Sequence, residues 1–318
     1  MDKELSMTIK ERLARAQDVL IVSHVRPDGD AVGALIATGI SLQNAGKKVQ
    51  MVLADGLPST YRHLEGSVQV QKSAEGKFDT FIVLDCADFK RAGKIVESYG
   101  QPDLNIDHHI TNEKFGKINL VDAEAVATSA ILSDCLPAWG FKLTKPIAAA
   151  LLTGIVADTL GFRTSNMTSH ALRQAAMLME IGVDLSELYN RALVRRSFQA
   201  ARYWGAGLSR LQKSDNIVWG ILTLADRKTT GYHNNDDADL INVISSIEDG
   251  MVGMIFVEQQ DQHVKISWRA LQPGVDVSRV AKYFGGGGHQ AAAGADVAGS
   301  LDEVQAMVLK ITCDMLGL

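Results

Sequence analysis

Cysteine is too scarce in this chain to build the fold or a thiolate metal site. The 318 residues contain only Cys86, Cys135 and Cys313, odd in number, widely spaced and never in a Cys-x-x-Cys pair, which suits a reducing cytosol. No stretch approaches the roughly 18 consecutive apolar residues that a membrane span needs. The amino-terminal Met1-Asp2-Lys3-Glu4-Leu5-Ser6 is charged and carries no apolar signal segment. Excess positive charge is missing as well, and a formal net charge of −5 argues against a chain that coats long nucleic acid. Aromatic residues make up only 6%, few for a processive nuclease that stacks successive bases. Hydrophobic residues at 46% and charged residues at 22% are ordinary for a globular protein. The expectation is a soluble cytoplasmic protein, long enough for two domains.

What is present is a regular alternation of elements. Helical spacing over residues 8–17 precedes the apolar run Val19-Leu20-Ile21-Val22, which reads as a buried strand. That strand ends in Ser23-His24-Val25-Arg26-Pro27-Asp28-Gly29-Asp30, with Asp30 at the N-cap of a helix that Gly46 terminates. Further strands are expected at 49–53, 80–84, 104–106 and 118–121, with helices near 90–98, 124–139 and 145–157. Continuous apolar runs alternating with helices predict an α/β fold, a doubly wound and mostly parallel sheet. Residues 168–211 read as helical, broken at Gly182. Strands are expected again at 217–224, 251–258 and 264–269, and helices near 238–248, 276–283 and 301–316. We therefore expect a domain over 1–190, a helical linker over 191–213 and a smaller α/β domain over 214–318, with the active site in the cleft between the domains.

Histidine is rare, 8 in the chain, yet two stand side by side in Asn105-Ile106-Asp107-His108-His109. Buried imidazoles need polar partners, so the pair is costly as core filler. The strand ends supply those partners: His24, Asp28 and Asp30 at the first, Asp85 after the strand at 80–84, and Asp107, His108 and His109 at the next. Asp158 follows an apolar helical run. A parallel sheet gathers such ends on one edge. Crowded carboxylates raise one another's pKa unless a counter-charge relieves them, and a pair of divalent cations would do so. Oxygen and nitrogen donors without thiolates suit Mn²⁺ or Mg²⁺ better than Zn²⁺ or Fe²⁺. Two such ions bridged by one carboxylate would activate water and clamp a phosphoryl oxygen.

The second signal is Phe284-Gly285-Gly286-Gly287-Gly288-His289, followed by Gln290-Ala291-Ala292-Ala293-Gly294. Ordering four glycines is costly. Before an alanine-rich segment, their backbone N–H groups would cradle an anion. His289 would add a donor there, and Arg269 would reach the same anion through its two-pronged guanidinium.

Taken in order, Ser23–Asp30, Leu84-Asp85, Asp107-His108-His109 and Gly154-Ile155-Val156-Ala157-Asp158-Thr159 resemble the four motifs of the DHH phosphoesterase superfamily. The segment from Gly285 to Gly294 resembles the accompanying DHHA1 substrate domain. The resemblance spans nearly the whole chain and is strongest to the stand-alone bacterial enzymes that degrade very short oligoribonucleotides. Many of those also remove the 3′-phosphate of adenosine 3′,5′-bisphosphate (pAp). It implies that His24, Asp28 and Asp85 hold one Mn²⁺, and that Asp30, Asp85, His108 and Asp158 hold the other, with Asp85 bridging. It further implies that His109 faces substrate phosphate. Asp107 then orients a neighbour. Arg269 and His289, with the backbone of Gly286, Gly287 and Gly288, would bind the substrate's terminal phosphate. Substrates are expected to be short oligoribonucleotides, dinucleotides or nucleoside bisphosphates, with no long nucleic acid and no membrane, and a homodimer is not excluded. The alternatives left open are a cyclic-dinucleotide phosphodiesterase, a manganese inorganic pyrophosphatase and a non-catalytic nucleotide-binding module. One departure from the family's pattern is Leu160, where many relatives have glycine directly after the threonine.

Overall fold

Unbroken apolar runs become strands covered on both faces, and in the computed structural model, which describes residues 2–214 and 216–318, they build two sheets. The chain divides into the units Met1–Arg195 and Arg196–Leu318. The first begins with α1 (Lys3–Arg15), capped by the Asp2 carboxylate, which accepts the Glu4 N–H. There follow β1 (Asp18–Val22), α2 (Gly29–Asn44), β2 (Lys48–Val52), β3 (Val70–Gln71), β4 (Thr80–Leu84), α3 (Ile95–Tyr99), β5 (Leu104–Asp107) and β6 (Ile118–Val121). Helices α4 (Thr128–Ala138), α5 (Lys145–Asp158), α6 (Ser169–Glu180) and α7 (Leu185–Tyr189) complete it, and a π-helical turn at Asn190–Val194 follows.

All six strands of this unit are parallel, in the order β3-β2-β1-β4-β5-β6. The chain winds outward from β1 to β3, then returns to lay β4 on the other side of β1. The switch point between β1 and β4 is where such sheets hold ligands, beyond the carboxyl ends of the strands. The two faces are covered unequally. Val19, Ile21, Ile82, Leu84, Leu104 and Ile106 face a core shared with α1, α2, α4, α5 and α6. The alternate residues Leu20, Val22, Phe81 and Val83 meet a thinner layer that includes Phe89, Tyr99 and Phe115.

The second unit contains α8 (Phe198–Leu208), β7 (Gln212–Ser214), β8 (Ile217–Leu222), α9 (Leu224–Thr230), α10 (Leu240–Ile244), β9 (Val252–Gln259), β10 (His263–Ala270), α11 (Val277–Tyr283), β11 (Gly287–Gly288), β12 (Ala292–Ala298) and α12 (Leu301–Leu316). Its sheet runs β11-β12-β10-β9-β8-β7, parallel only between β8 and β9. One face packs on α8 and α10 through Tyr203, Leu240 and Ile244, the other on α11 and α12 through Val280, Val304 and Val308. The alanine-rich segment after the glycines is a strand. Its weak β-propensity is overridden by antiparallel pairing with β10, where Ala295 opposes Ile266 and Ala293 opposes Trp268. Among the described residues no helix is long and apolar enough to cross a membrane.

Helices α2 and α5 cross with almost no side chain between them. A Cβ at Gly33 would strike the carbonyl oxygen of Ala150, and one at Gly29 would strike Ala157. Small residues four apart on each helix allow this approach. Overpacking a site with no room typically costs about 1–3 kcal/mol. Gly33→Ala is accordingly expected to lower unfolding stability by about that amount, read from the urea midpoint at unchanged m-value.

Candidate metal centre

Four chain segments reach the switch point. β1 delivers Ser23 and His24, the start of α2 delivers Asp28 and Asp30, β4 delivers Asp85, and β5 delivers Asp107, His108 and His109. The end of α5 adds Asp158. The N-cap of α2 is Asp28, not Asp30 as expected. Asp28 has extended backbone, and its Oδ1 accepts the N–H groups of Asp30 and Ala31, both at 3.0 Å. Asp30 lies within the first turn of the helix and is 1% exposed. Its carboxylate accepts backbone N–H groups from the start of α4, Thr128 at 2.6 Å and Ser129 at 2.8 Å. The amino end of a helix favours an anion there.

Asp85 sits at the centre. Its N–H still pairs with the Ile106 carbonyl at 2.9 Å, and its φ of +53° then turns the chain out of the sheet. Aspartate tolerates that left-handed conformation better than most side chains. Its Oδ2 is 3.5 Å from His24 Nε2, and its Oδ1 is 3.7 Å from His108 Nε2. Thr128 Oγ1 donates to Oδ1 at 3.0 Å. His24 Nε2 also faces Asp28 Oδ2 at 3.7 Å, and His108 Nε2 faces Asp158 Oδ2 at 3.5 Å. These separations exceed an ordinary N–H···O bond. They suit imidazole and carboxylate atoms arranged around a shared cation at about 2.0–2.2 Å from each.

The imidazoles are oriented for that role. His24 Nδ1 donates to the Val25 carbonyl at 2.8 Å, and His108 Nδ1 lies 3.3 Å from the Ala125 carbonyl. Anchoring one ring nitrogen sets the other as the ligand. The sets His24–Asp28–Asp85 and Asp30–His108–Asp158 each hold their ligand atoms within 4.8 Å of one another and could each take a divalent ion. Asp85, His108 and His109 form a third such set. His109, however, donates Nδ1–H to Asp107 Oδ1 at 2.7 Å, which removes that nitrogen as a ligand. Asp107 is wholly buried and also accepts the His108 N–H at 2.8 Å and Asn112 Nδ2–H at 2.6 Å. With its carboxylate so occupied, Asp107 acts on His109 rather than on a ligand. Cys86 is no ligand: burial pushes its thiol up, and Sγ–H donates to the Asp88 carbonyl.

Thr128, Ser129 and Asn112 escape a reading from strand ends because each follows a loop or opens a helix. Gly154 has a signal in its motif but a structural cause: a Cβ there would lie 2.7 Å from Asp30 Oδ1 and collide with Ser129. After Asp158 the chain closes α5 with Leu160 N–H donating to Ala157 and Gly161 N–H to Val156. This is the paired closure that normally uses glycine in the left-handed position. Leu160 takes that position at φ +48°.

In the second unit, Arg269 opposes Ala292, and His289 exchanges backbone hydrogen bonds with the same Ala292. Both therefore lie at one end of that sheet. Arg269 is half-buried, near the charges of Asp237 and Asp239. No helix follows the glycines. Gly287 and Gly288 instead pair with Gly294 and Ala293. Gly286 and Gly288 approach the Gly294 and Ala292 carbonyls too closely for any Cβ.

The residues 18–155 match the DHH family N-terminal domain, and 221–312 match the DHHA1 domain. The chain belongs to the DHH phosphoesterase family. It is 36% identical over 298 residues to the bifunctional oligoribonuclease and PAP phosphatase NrnA of Thermus thermophilus, covering 92% of this chain and 88% of that protein. It is 25% identical over 283 residues to the protein of that name from Bacillus subtilis, covering 88% and 89%. The same fold is seen in an exopolyphosphatase-related protein from Bacteroides fragilis, with a TM-score of 0.90 at 24% identity over 99% of this chain and 96% of that one.

Without metal, the cluster is in electrostatic conflict. Burial, then the charge of Asp85, lifts Asp30 to about 7. Burial, then Asp30, Asp28 and Asp85, lifts Asp158 well above the usual range. Burial pulls His24 down, but Asp85 and Asp28 outweigh it and raise His24 to about 9. Asp85 opposes its own burial and is held low by His24, His109 and His108. The signs for stability follow by linkage. Raised Asp30 binds a proton that the unfolded chain has lost, so its contribution falls as pH rises from about 4 through 7. Raised His24 contributes fully below about 6.5 and loses that contribution as pH passes through 9. Metal-free protein should therefore melt lower at pH 9 than at pH 6, while metal-loaded protein should gain from the rise, because binding must displace those protons. Differential scanning calorimetry in both states checks this; equal slopes would refute it.

Proposed function

We propose that this chain is a metal-dependent phosphoesterase that hydrolyses very short oligoribonucleotides and removes the 3′-phosphate of pAp. The observation that carries the reading is the paired ligand geometry around Asp85 at the β1/β4 switch point. A relative bearing both activities in its name, similar over nearly the whole chain, supports it. His24, Asp28 and Asp85 hold one divalent cation; Asp30, Asp85, His108 and Asp158 hold a second, most suitably Mn²⁺, with Mg²⁺ the other oxygen-preferring candidate. When bound, such a pair lowers the pKa of water and neutralises charge on phosphoryl oxygens.

The chain's own residues do the rest. Asp85 fixes the spacing of the two ligand sets by belonging to both. Asp107 holds the His109 ring through Nδ1 and, with Asp85, favours its protonated form, in which the other nitrogen donates toward phosphate. Arg269 and His289, with the Gly286–Gly288 backbone, bind the terminal phosphate and so limit substrate length. The domains 1–190 and 214–318, with 191–213 between them, are the working division of these tasks.

The test is a substrate panel of pAp, a linear dinucleotide, a cyclic dinucleotide, a five-nucleotide RNA and pyrophosphate, run with Mn²⁺ and resolved by chromatography. The expected products are adenosine 5′-monophosphate from pAp and mononucleotides from the linear dinucleotide and the RNA, with little from pyrophosphate. Asp85→Ala should lower turnover at least about 10³-fold on every substrate. Arg269→Ala should chiefly raise KM for substrates with a terminal phosphate. Near-wild-type turnover by Asp85→Ala would sink the shared-ligand reading, and pyrophosphate as the preferred substrate would sink the nucleotide reading.

A further inference from the structure

The cluster described above has no positive charge to spare for an arriving anion even when it is loaded. Asp28, Asp30, Asp85, Asp107 and Asp158 bring five charges, and two divalent cations with a protonated His109 return five. An anionic phosphoryl group approaching it would gain from a further positive group close by.

Arg91 meets that requirement, although it belongs to none of the family's motifs quoted above. It lies in the 3₁₀ turn Phe89–Ala92 that follows Asp85 and Cys86. Two contacts fix its backbone beside the cluster. Its carbonyl accepts the N–H of Val25, the residue after His24, at 2.7 Å, and its N–H donates to Asp88 Oδ1 at 3.0 Å. Gly93 closes the turn at φ +82°, where a Cβ would press on Val25 and Ala54 at 3.2–3.3 Å. The loop carrying Arg91 is thus fastened to the loop carrying His24. Arg91 itself is half-buried. Among the described residues it forms no hydrogen bond and no ion pair with a carboxylate. A cation that is positioned by its backbone and has no partner in the protein is available to an external anion.

We propose that Arg91 is a substrate ligand that binds a non-bridging oxygen pair of the phosphoryl group under attack, on the His24 side of the centre. The assignment rests on the phosphoesterase reading above. A planar two-pronged donor there would complement the spreading charge of a phosphoryl group in transfer.

The experiment is isothermal titration of inorganic phosphate into Mn²⁺-loaded protein, which needs no turnover. Arg91→Gln should weaken phosphate binding at least tenfold while Mn²⁺ stoichiometry and melting temperature stay at the wild-type values. Arg91→Lys, which keeps the charge but not the fork, should fall between. Lys90→Gln removes an exposed charge one residue away and should stay within twofold of wild type. Phosphate affinity unchanged in Arg91→Gln, equally weakened in Lys90→Gln, or absent in wild type overturns the assignment. Should Arg91→Gln not fold, Arg91→Lys decides: a severalfold loss supports the proposal and wild-type affinity overturns it. If wild type turns over neither pAp nor a dinucleotide but the phosphate result holds, the proposed function falls and Arg91 stands. Turnover with phosphate binding indifferent to Arg91 gives the reverse.

Discussion

Five carboxylates share one end of a sheet, and the repulsion among them is the constraint the first unit is built to manage. Each has a different counterweight. Asp28 accepts the first N–H groups of α2, Asp30 those of α4, Asp85 faces three imidazoles, and Asp107 takes donors from His108, His109 and Asn112. Asp158 has the least support, facing His108 across 3.5 Å while Asp30, Asp28 and Asp85 push against its ionisation. Fixed dipoles hold part of the charge at no cost in reorganisation, and what they leave unbalanced is what a divalent cation neutralises.

The topology makes the crowding inevitable. A parallel sheet that reverses its winding direction between β1 and β4 separates the loops that follow those two strands, and opens a crevice between them. His24 and Asp85 stand on its two sides. The helices then contribute ends rather than faces: the start of α2, the start of α4 and the finish of α5 all terminate there. Function in this unit is therefore a matter of where elements stop.

That is also why so much of the site is legible in the sequence. Apolar runs followed by Asp or His mark strand ends without knowledge of pairing, and His24, Asp85, Asp107, His108 and His109 are all found that way. Asp28 and Asp30 are found together, but the helix cap falls on Asp28 rather than Asp30, because both can cap a helix and only the α4 contact shows that Asp30 faces inward. Thr128, Ser129 and Asn112 carry no comparable mark, since their partners lie far away in sequence, Asp30 by 98 and 99 residues for the first two. The strand Ala292–Ala298 is obscured for another reason. Alanine and glycine argue against a strand locally, and only the neighbouring ladder with Ile266 and Trp268 overrides them. The glycines before it fit a hairpin's close backbone approach as well as an anion, and composition does not separate the two.

The α2/α5 crossing is, in mechanical terms, a gauge block. Most helix pairs meet through side chains that can change rotamer, so their separation has some give. Here Gly33 rests on the backbone of Ala150 and Gly154. Main chain against main chain has no rotamers to adjust. The backbone that carries the carboxylate at the head of α2 is thereby seated directly on the backbone of α5. A side chain added at Gly33 could therefore be accommodated only by moving one helix against the other, and with it one carboxylate against the other.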